Sequence, residues 1–121
     1  MKFKWVTLHV KNLDQSLQFY QNIVGLPLAR RFQAGPGNEI AFLGDGETQV
    51  ELIANTRESL AGMSPDLSLG FAVESLDATM KMLKDRAIAI HSGPFQPGPN
   101  IRFIYVQDPD GLKIQFAESL P

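Results

Sequence analysis

The chain has 121 residues, of which 44% are hydrophobic and 20% are charged, and its formal net charge at pH 7 is −2. This composition predicts one soluble globular domain. No basic run exceeds Arg30-Arg31, which argues against nucleic acid as the main partner, and no apolar run approaches the roughly 18 residues that span a bilayer. The chain has no cysteine, so disulfides, thiolate metal sites and thiol nucleophiles are excluded. We expect a cytoplasmic protein without a secretory signal.

The first half of the chain predicts a β-α-β-β-β module. Residues 4–10 alternate between an aliphatic row, which should face a helix, and a second row formed by Trp5, Thr7 and His9, which would line a cavity. Asn12 is placed to cap that helix, and Gly25 is placed to end it. Strands are predicted at residues 26–32, 39–43 and 48–54. Because Pro27 lacks a backbone donor, the first of these should be an edge strand or should start late.

The second half predicts the same order of elements. Residues 67–73 form an opening strand, whose row away from the helix begins at Ser68, and Ser75 caps the second helix. Residues 87–91 are predicted as a strand, and the Pro- and Gly-rich residues 92–100 are predicted as a loop that is long enough to act as a lid. Strands at 101–107 and 112–117 are joined by the turn at 108–111, and Gln115 lies on the row away from the helix.

The two halves also repeat in sequence. The pattern of residues 10–20 returns in residues 73–83, and Phe32-Gln33-Ala34-Gly35-Pro36 returns at the same offset as Phe95-Gln96-Pro97-Gly98-Pro99. Such a repeat predicts two structural copies of one module, at about residues 1–55 and 67–121, with residues 56–66 as the connector. The expected fold class is α+β, with the tandem modules forming a curved mixed sheet around a central cavity.

Two segments resemble one known superfamily. They are the opening Leu8-x-Val10-x-x-Leu13-Asp14-x-Ser16-x-x-Phe19-Tyr20-x-x-x-x-Gly25-Leu26 and the closing Asp108-Pro109-Asp110-Gly111-x-x-Ile114-x-Phe116. This pattern, together with the doubled module, is similar to the vicinal oxygen chelate superfamily, which includes glyoxalase I, extradiol dioxygenases and bleomycin-binding proteins. The resemblance covers essentially the whole chain. It implies paired modules, often completed by dimerisation, but it does not fix the chemistry.

The resemblance also implies where a divalent metal would be held. Enzymes of the superfamily use four side chains, mostly His and Glu, and their positions correspond here to Trp5, Glu51, Ser68 and Gln115. Only Glu51 is a strong ligand, since an indole cannot coordinate and a hydroxyl or amide oxygen binds transition metals weakly. We therefore expect no cofactor. A divalent metal at Glu51 remains the alternative.

The candidate residues each allow a second interpretation. His9 would bind a ligand or transfer a proton, or it is a structural histidine. Glu51 would act as a general base if a partly apolar cavity raised its pKa, or it pairs with a nearby polar side chain. Trp5 would stack on a planar ligand or fill the space of the metal. Arg102 would meet an anionic ligand or be solvent-exposed.

The leading hypothesis is a metal-independent protein, expected to be a homodimer, that binds an apolar or aromatic compound. The ligand would lie against Trp5, with orienting contacts from the polar ligand-binding candidates Thr7, His9, Glu51, Ser68, Gln115 and Arg102. The alternative is a glyoxalase-type lyase or isomerase, or a dioxygenase. It would use Glu51 in an unorthodox metal site with Gln115 and His9, or Glu51 and His9 as a metal-free acid–base pair. In a third hypothesis the cavity is collapsed and the protein acts through its surface.

Overall fold

A computed structural model describes residues 1–57 and 59–121 of the chain. The chain divides into two compact units, Met1–Gly62 and Met63–Pro121. Each unit is a four-stranded mixed sheet with a helix on one face, so the α+β class and the repeated β-α-β-β-β order are confirmed. None of the helices in the described residues combines the length and apolarity that crossing a bilayer requires.

The first unit places its opening strand beside its last strand. Its strands are β1 (Trp5–His9), β2 (Leu28–Gln33), β3 (Asn38–Leu43) and β4 (Gln49–Asn55). They follow the order β1-β4-β3-β2, in which β1 runs parallel to β4 and the other neighbours are antiparallel. The strand after Pro27 is an edge strand that starts at Leu28, as expected for a residue that cannot donate to a ladder.

Helix α1 (Leu13–Gln18) continues into a π-helical turn, Phe19–Ile23. The predicted cap is present, since the Asn12 side chain accepts a hydrogen bond from the backbone N–H of Gln15 at 3.0 Å. Gly25 has a φ of 86°, the left-handed conformation predicted for the residue that ends this helix. Leu17 and Tyr20 are buried on the helix face that covers the sheet, opposite strand residues such as Leu52.

The second unit repeats this arrangement. Its elements are β5 (Ser68–Ala72), α2 (Leu76–Asp85), β6 (Ser92–Gly98), β7 (Ile101–Gln107) and β8 (Lys113–Ser119), and its strand order is β5-β8-β7-β6. The predicted cap Ser75 accepts a hydrogen bond from the N–H of Ala78 at 3.1 Å. Glu118 on β8 accepts a second hydrogen bond from the N–H of Leu76 at 2.5 Å, which ties the start of α2 to the sheet.

Two predictions around residue 90 are wrong. Residues 87–91 are not a strand, because Ala87 turns the chain through the left-handed region (φ 58°) and the strand starts only at Ser92. The backbone N–H of His91, just before it, donates to the carbonyl of Tyr105 at 2.7 Å. Residues 92–98, predicted as part of a loop, form β6. Pro94 and Pro97 are compatible with this strand because it lies at the sheet edge and its pairing with β7 is irregular.

Candidate functional site

The face of the first sheet that points away from α1 carries a concentrated set of aromatic and charged side chains. Backbone register places Thr7 beside Glu51, Glu51 beside Phe42, and Phe42 beside Arg30, so one row crosses all four strands. Trp5 precedes this row on β1 and Phe32 follows it on β2. We call this surface the aromatic face, and it consists of Trp5, Thr7, Arg30, Phe32, Phe42 and Glu51.

Phe42 is the centre of the aromatic face. Its side chain is only 5% exposed, although it points away from the helix. The Trp5 ring meets it edge-on at a centroid distance of 5.7 Å, and the Phe32 ring lies nearly parallel to it at 6.5 Å. The Arg30 guanidinium carbon is 4.4 Å from the Phe42 centroid. These neighbours bury Phe42, whereas Trp5 itself remains 49% exposed and accessible to a ligand.

Glu51 is already engaged by a neighbour. The hydroxyl of Thr7 donates a hydrogen bond to its Oε1 at 2.5 Å, which matches the expected pairing with a nearby polar side chain. The same geometry leaves the second carboxylate oxygen, Oε2, as a hydrogen-bond acceptor for a ligand. Gln49, next to Trp5 in the register, is held differently, because its side-chain amide donates to the carbonyl of Gly44 at 3.0 Å.

His9 lies on the same face as Trp5 and Thr7, as predicted, and its side chain is exposed. Register places it in the next row, beside Ile53, with Ile40 and Phe32 on the neighbouring strands. The structure therefore brings Trp5, Thr7, Glu51 and His9 onto one face, with His9 at the end of β1 and beside apolar side chains.

Ser68 and Gln115 belong to the second sheet. Both lie on its face away from α2, as predicted, and Gln115 pairs with Gly70 across β5 and β8. A Cβ atom added to Gly70 would stand 3.2 Å from the Gln115 side-chain oxygen, so the glycine makes room for that amide. Tyr105 is the next residue along this row. It occupies in the second sheet the place that Phe42 occupies in the first.

Arg102 is not brought together with Ser68 and Gln115. Alternation along β7 puts it on the helix side with the buried residues Ile104 and Val106. Its guanidinium lies 3.4 Å from the carboxylate of Asp77 in the first turn of α2. This contact fixes Arg102 to the helix on the opposite face of the sheet.

The metal centre implied by the superfamily does not fit these residues. Of the two implied positions in the first unit, Trp5 offers only an N–H donor and Glu51 offers one carboxylate. In the second unit, Ser68 and Gln115 offer a hydroxyl and an amide, and neither is a strong ligand for Zn²⁺, Ni²⁺ or Fe²⁺. Among residues 1–57 and 59–121, no group of three His, Asp or Glu side chains is placed to hold a metal ion.

Sequence reasoning missed Arg30, Phe32 and Phe42 as parts of this surface. Strand alternation alone would have indicated Phe42, since it is one residue from the buried Ala41 and Leu43. Alternation could not predict the face of the sheet on which Arg30 lies, because a bulge between Leu28 and Arg30 shifts the register of β2.

Comparisons with known proteins agree in family and in fold. Residues 2–116 match the profile of the Glyoxalase/Bleomycin resistance protein/Dioxygenase superfamily. The chain is 31% identical over 126 residues to a lactoylglutathione lyase of Neisseria meningitidis, covering 98% of this chain and 91% of that one. A glyoxalase family protein from Bacillus cereus has the same fold, with a TM-score of 0.86, 22% identity and coverage of 100% and 95% of the two chains. An antibiotic binding protein from a Streptomyces species also has it, with a TM-score of 0.78, 22% identity and 98% coverage of each chain.

Proposed function

This chain belongs to the Glyoxalase/Bleomycin resistance protein/Dioxygenase superfamily, and we propose that it binds a small organic compound with an aromatic or apolar body, without a resident metal ion. The observation that carries the proposal is the place of Trp5. It stands where the resemblance implies a metal-binding histidine, and its half-exposed ring lies edge-on against Phe42.

The aromatic face has the composition of a site for a planar ligand. The exposed part of Trp5 offers a flat apolar surface, and pairing of aromatic rings contributes about 0.5–1.5 kcal/mol beyond the area that is buried. The Glu51 carboxylate, held by Thr7, provides an acceptor at a fixed position beside this surface. A few placed polar groups around an apolar surface are typical of sites for small organic molecules.

The absence of strong metal ligands at three of the four implied positions supports the same proposal. Replacing a histidine by Trp5 removes a ligand and adds a large apolar group, which favours an organic compound over a hydrated metal ion. The name of the Streptomyces protein of the same fold indicates that it binds an antibiotic, and binding of an organic ligand requires no catalytic group.

Trp5 is the only tryptophan in the chain, so intrinsic tryptophan fluorescence reports on the aromatic face alone. We expect saturable quenching when protein in excess EDTA is titrated with a panel of neutral and charged naphthalene and benzene derivatives. At least one compound should bind below millimolar concentration, because contact with the exposed indole excludes water from both rings. Quenching by no compound of the panel, or only after a metal is restored, would contradict the proposal.

A lyase remains the second candidate because the relative from Neisseria meningitidis is named lactoylglutathione lyase. In that case Glu51 would act at a metal ion or as a general base, and Glu51→Gln would abolish conversion of lactoylglutathione while the protein stayed folded. Glu74→Gln, which removes an exposed carboxylate from the second unit, is the matched control. We expect no conversion above background in the wild-type protein, with or without added divalent metal.

A further inference from the structure

Arg30 is held in place by two aromatic rings. Its guanidinium carbon lies 4.4 Å from the centroid of Phe42 and 5.7 Å from that of Phe32, and these two rings are within 11° of parallel. A cation over aromatic rings is stabilised by their quadrupoles, by about 0.5–1 kcal/mol at an exposed site. The side chain is therefore ordered before any ligand arrives, which lowers the entropy lost on binding.

The side chain of the adjacent Arg31, in contrast, already interacts with carboxylates. Arg31 faces the helix side, where it donates to Glu39 at 2.6 Å and contacts Asp14 at 2.8 Å. The hydrogen bonds that Arg31 donates to Glu39 and Asp14 raise the pKa of Arg31 above its ordinary value. Within residues 1–57 and 59–121, Arg30 has no carboxylate within ion-pairing distance. Arg30 is an exposed residue of the aromatic face, and its guanidinium carries five N–H donors.

We infer that Arg30 selects ligands that carry a carboxylate on an aromatic ring system, an inference that rests on the proposed binding function. The guanidinium fork matches the two oxygens of a carboxylate, and such charge-assisted pairs are stronger than neutral hydrogen bonds. Trp5 and Arg30 both contact the Phe42 ring. A ligand that touches both must therefore extend across one phenylalanine ring, which fits a bicyclic aromatic carboxylate.

Glu51 determines the orientation in which this ligand binds. Register places Glu51 and Arg30 on opposite sides of Phe42, so the row has an anionic end and a cationic end. The strands that bear them are two strand spacings apart, about 10 Å. An anionic ligand is repelled by Glu51 and attracted by Arg30, so its carboxylate points toward β2 and its ring system toward Trp5.

The test compares 2-naphthoate with 2-naphthamide, which share one ring system and differ in charge. Dissociation constants are measured by Trp5 fluorescence and by calorimetry in EDTA. We expect the wild-type protein to bind the carboxylate at least about tenfold more tightly, as one charge-assisted pair implies. Arg30→Gln should bring the two constants to within about twofold, chiefly by weakening the binding of the carboxylate. Arg31→Gln is the matched control, since it removes the same charge from the opposite face and should keep the preference.

Failure of anion selection and failure of the binding function give different experimental results. Equal binding of the two compounds by the wild-type protein, or a preference that survives Arg30→Gln, would overturn anion selection and leave the binding function standing. An equal loss of preference in Arg31→Gln would assign the effect to overall charge and would also overturn the role of Arg30. If neither compound nor any other aromatic of the panel changes Trp5 fluorescence, the binding function itself fails. Far-ultraviolet circular dichroism confirms that each variant is folded.

Discussion

Replacement of Phe42 by alanine is expected to lower the free energy of unfolding by about 3 kcal/mol, the lower end of the usual cost for a buried phenylalanine. The ring is 5% exposed and is in contact with Trp5, Phe32 and Arg30, so its removal opens a cavity beneath all three. The same change should abolish quenching of Trp5 by aromatic compounds, because both Trp5 and Arg30 lose the ring that positions them. Urea denaturation followed by circular dichroism measures the first effect, and the fluorescence titration measures the second.

Two control variants separate packing from ring chemistry. Phe42→Leu keeps most of the apolar volume and should cost only about 1 kcal/mol, but it removes the cation–π contact with Arg30. Phe32→Ala removes a ring that is 39% exposed, and its cost should be well below that of Phe42→Ala. Equal destabilisation by Phe32→Ala and Phe42→Ala would show that Phe42 is not the centre of the aromatic face.

Replacement of Asp108 by alanine is expected to cost about 3 kcal/mol of stability, since it removes hydrogen bonds to a carboxylate and leaves donors unpaired. Asp108 is 5% exposed, and its Oδ1 accepts from the N–H groups of Asp110 and Leu112, each at 2.9 Å. These bonds shape the turn that returns β7 to β8. The free energy of unfolding from urea denaturation measures the loss.

The repeat supplies the control for Asp108. Asp45 occupies the corresponding turn of the first unit, but its side chain is exposed. Asp45→Ala should therefore change stability by less than about 0.5 kcal/mol, as is usual for surface substitutions. Similar losses for the two variants would contradict the assignment of Asp108 to the support of its turn.

Local signals in the sequence were sufficient for most of the fold. Asn12 and Ser75 cap their helices through the side-chain bonds that these residue types predict, and Gly25 ends the first helix in the expected conformation. Alternation also assigned the correct faces to β1 and β8. These features depend on residues close together in sequence, which is why a pattern can reveal them.

The error at residues 87–98 has a different origin. Pro94 and Pro97 were interpreted as marks of a loop, but an edge strand tolerates residues without an N–H on its open side. Whether a strand lies at an edge is decided by which other strands pair with it. That information is contained in the tertiary structure and not in the segment itself.

The aromatic face shows the same limit for the candidate site. Strict alternation from Leu28 would put Arg30 on the helix side, where Arg31 now pairs with Glu39 and Asp14. The bulge between Leu28 and Arg30 reverses the two arginines and gives the aromatic face its cation. For Arg102 the sequence left ligand contact and exposure open. Strand alternation places it on the helix side, where it pairs with Asp77.

The proposal that the site binds no metal ion is tested most directly by calorimetric titration of metal-stripped protein with Zn²⁺, Ni²⁺, Mn²⁺ and Fe²⁺, with Glu51→Ala as the control. We expect no binding tighter than about 100 μM. Glu51 is the only carboxylate at the four implied positions, and Trp5, Ser68 and Gln115 add no strong ligand to it. The wild-type and Glu51→Ala proteins should give the same weak heats. Micromolar or tighter binding that disappears in Glu51→Ala would contradict metal-independent binding and would assign Glu51 to a metal centre.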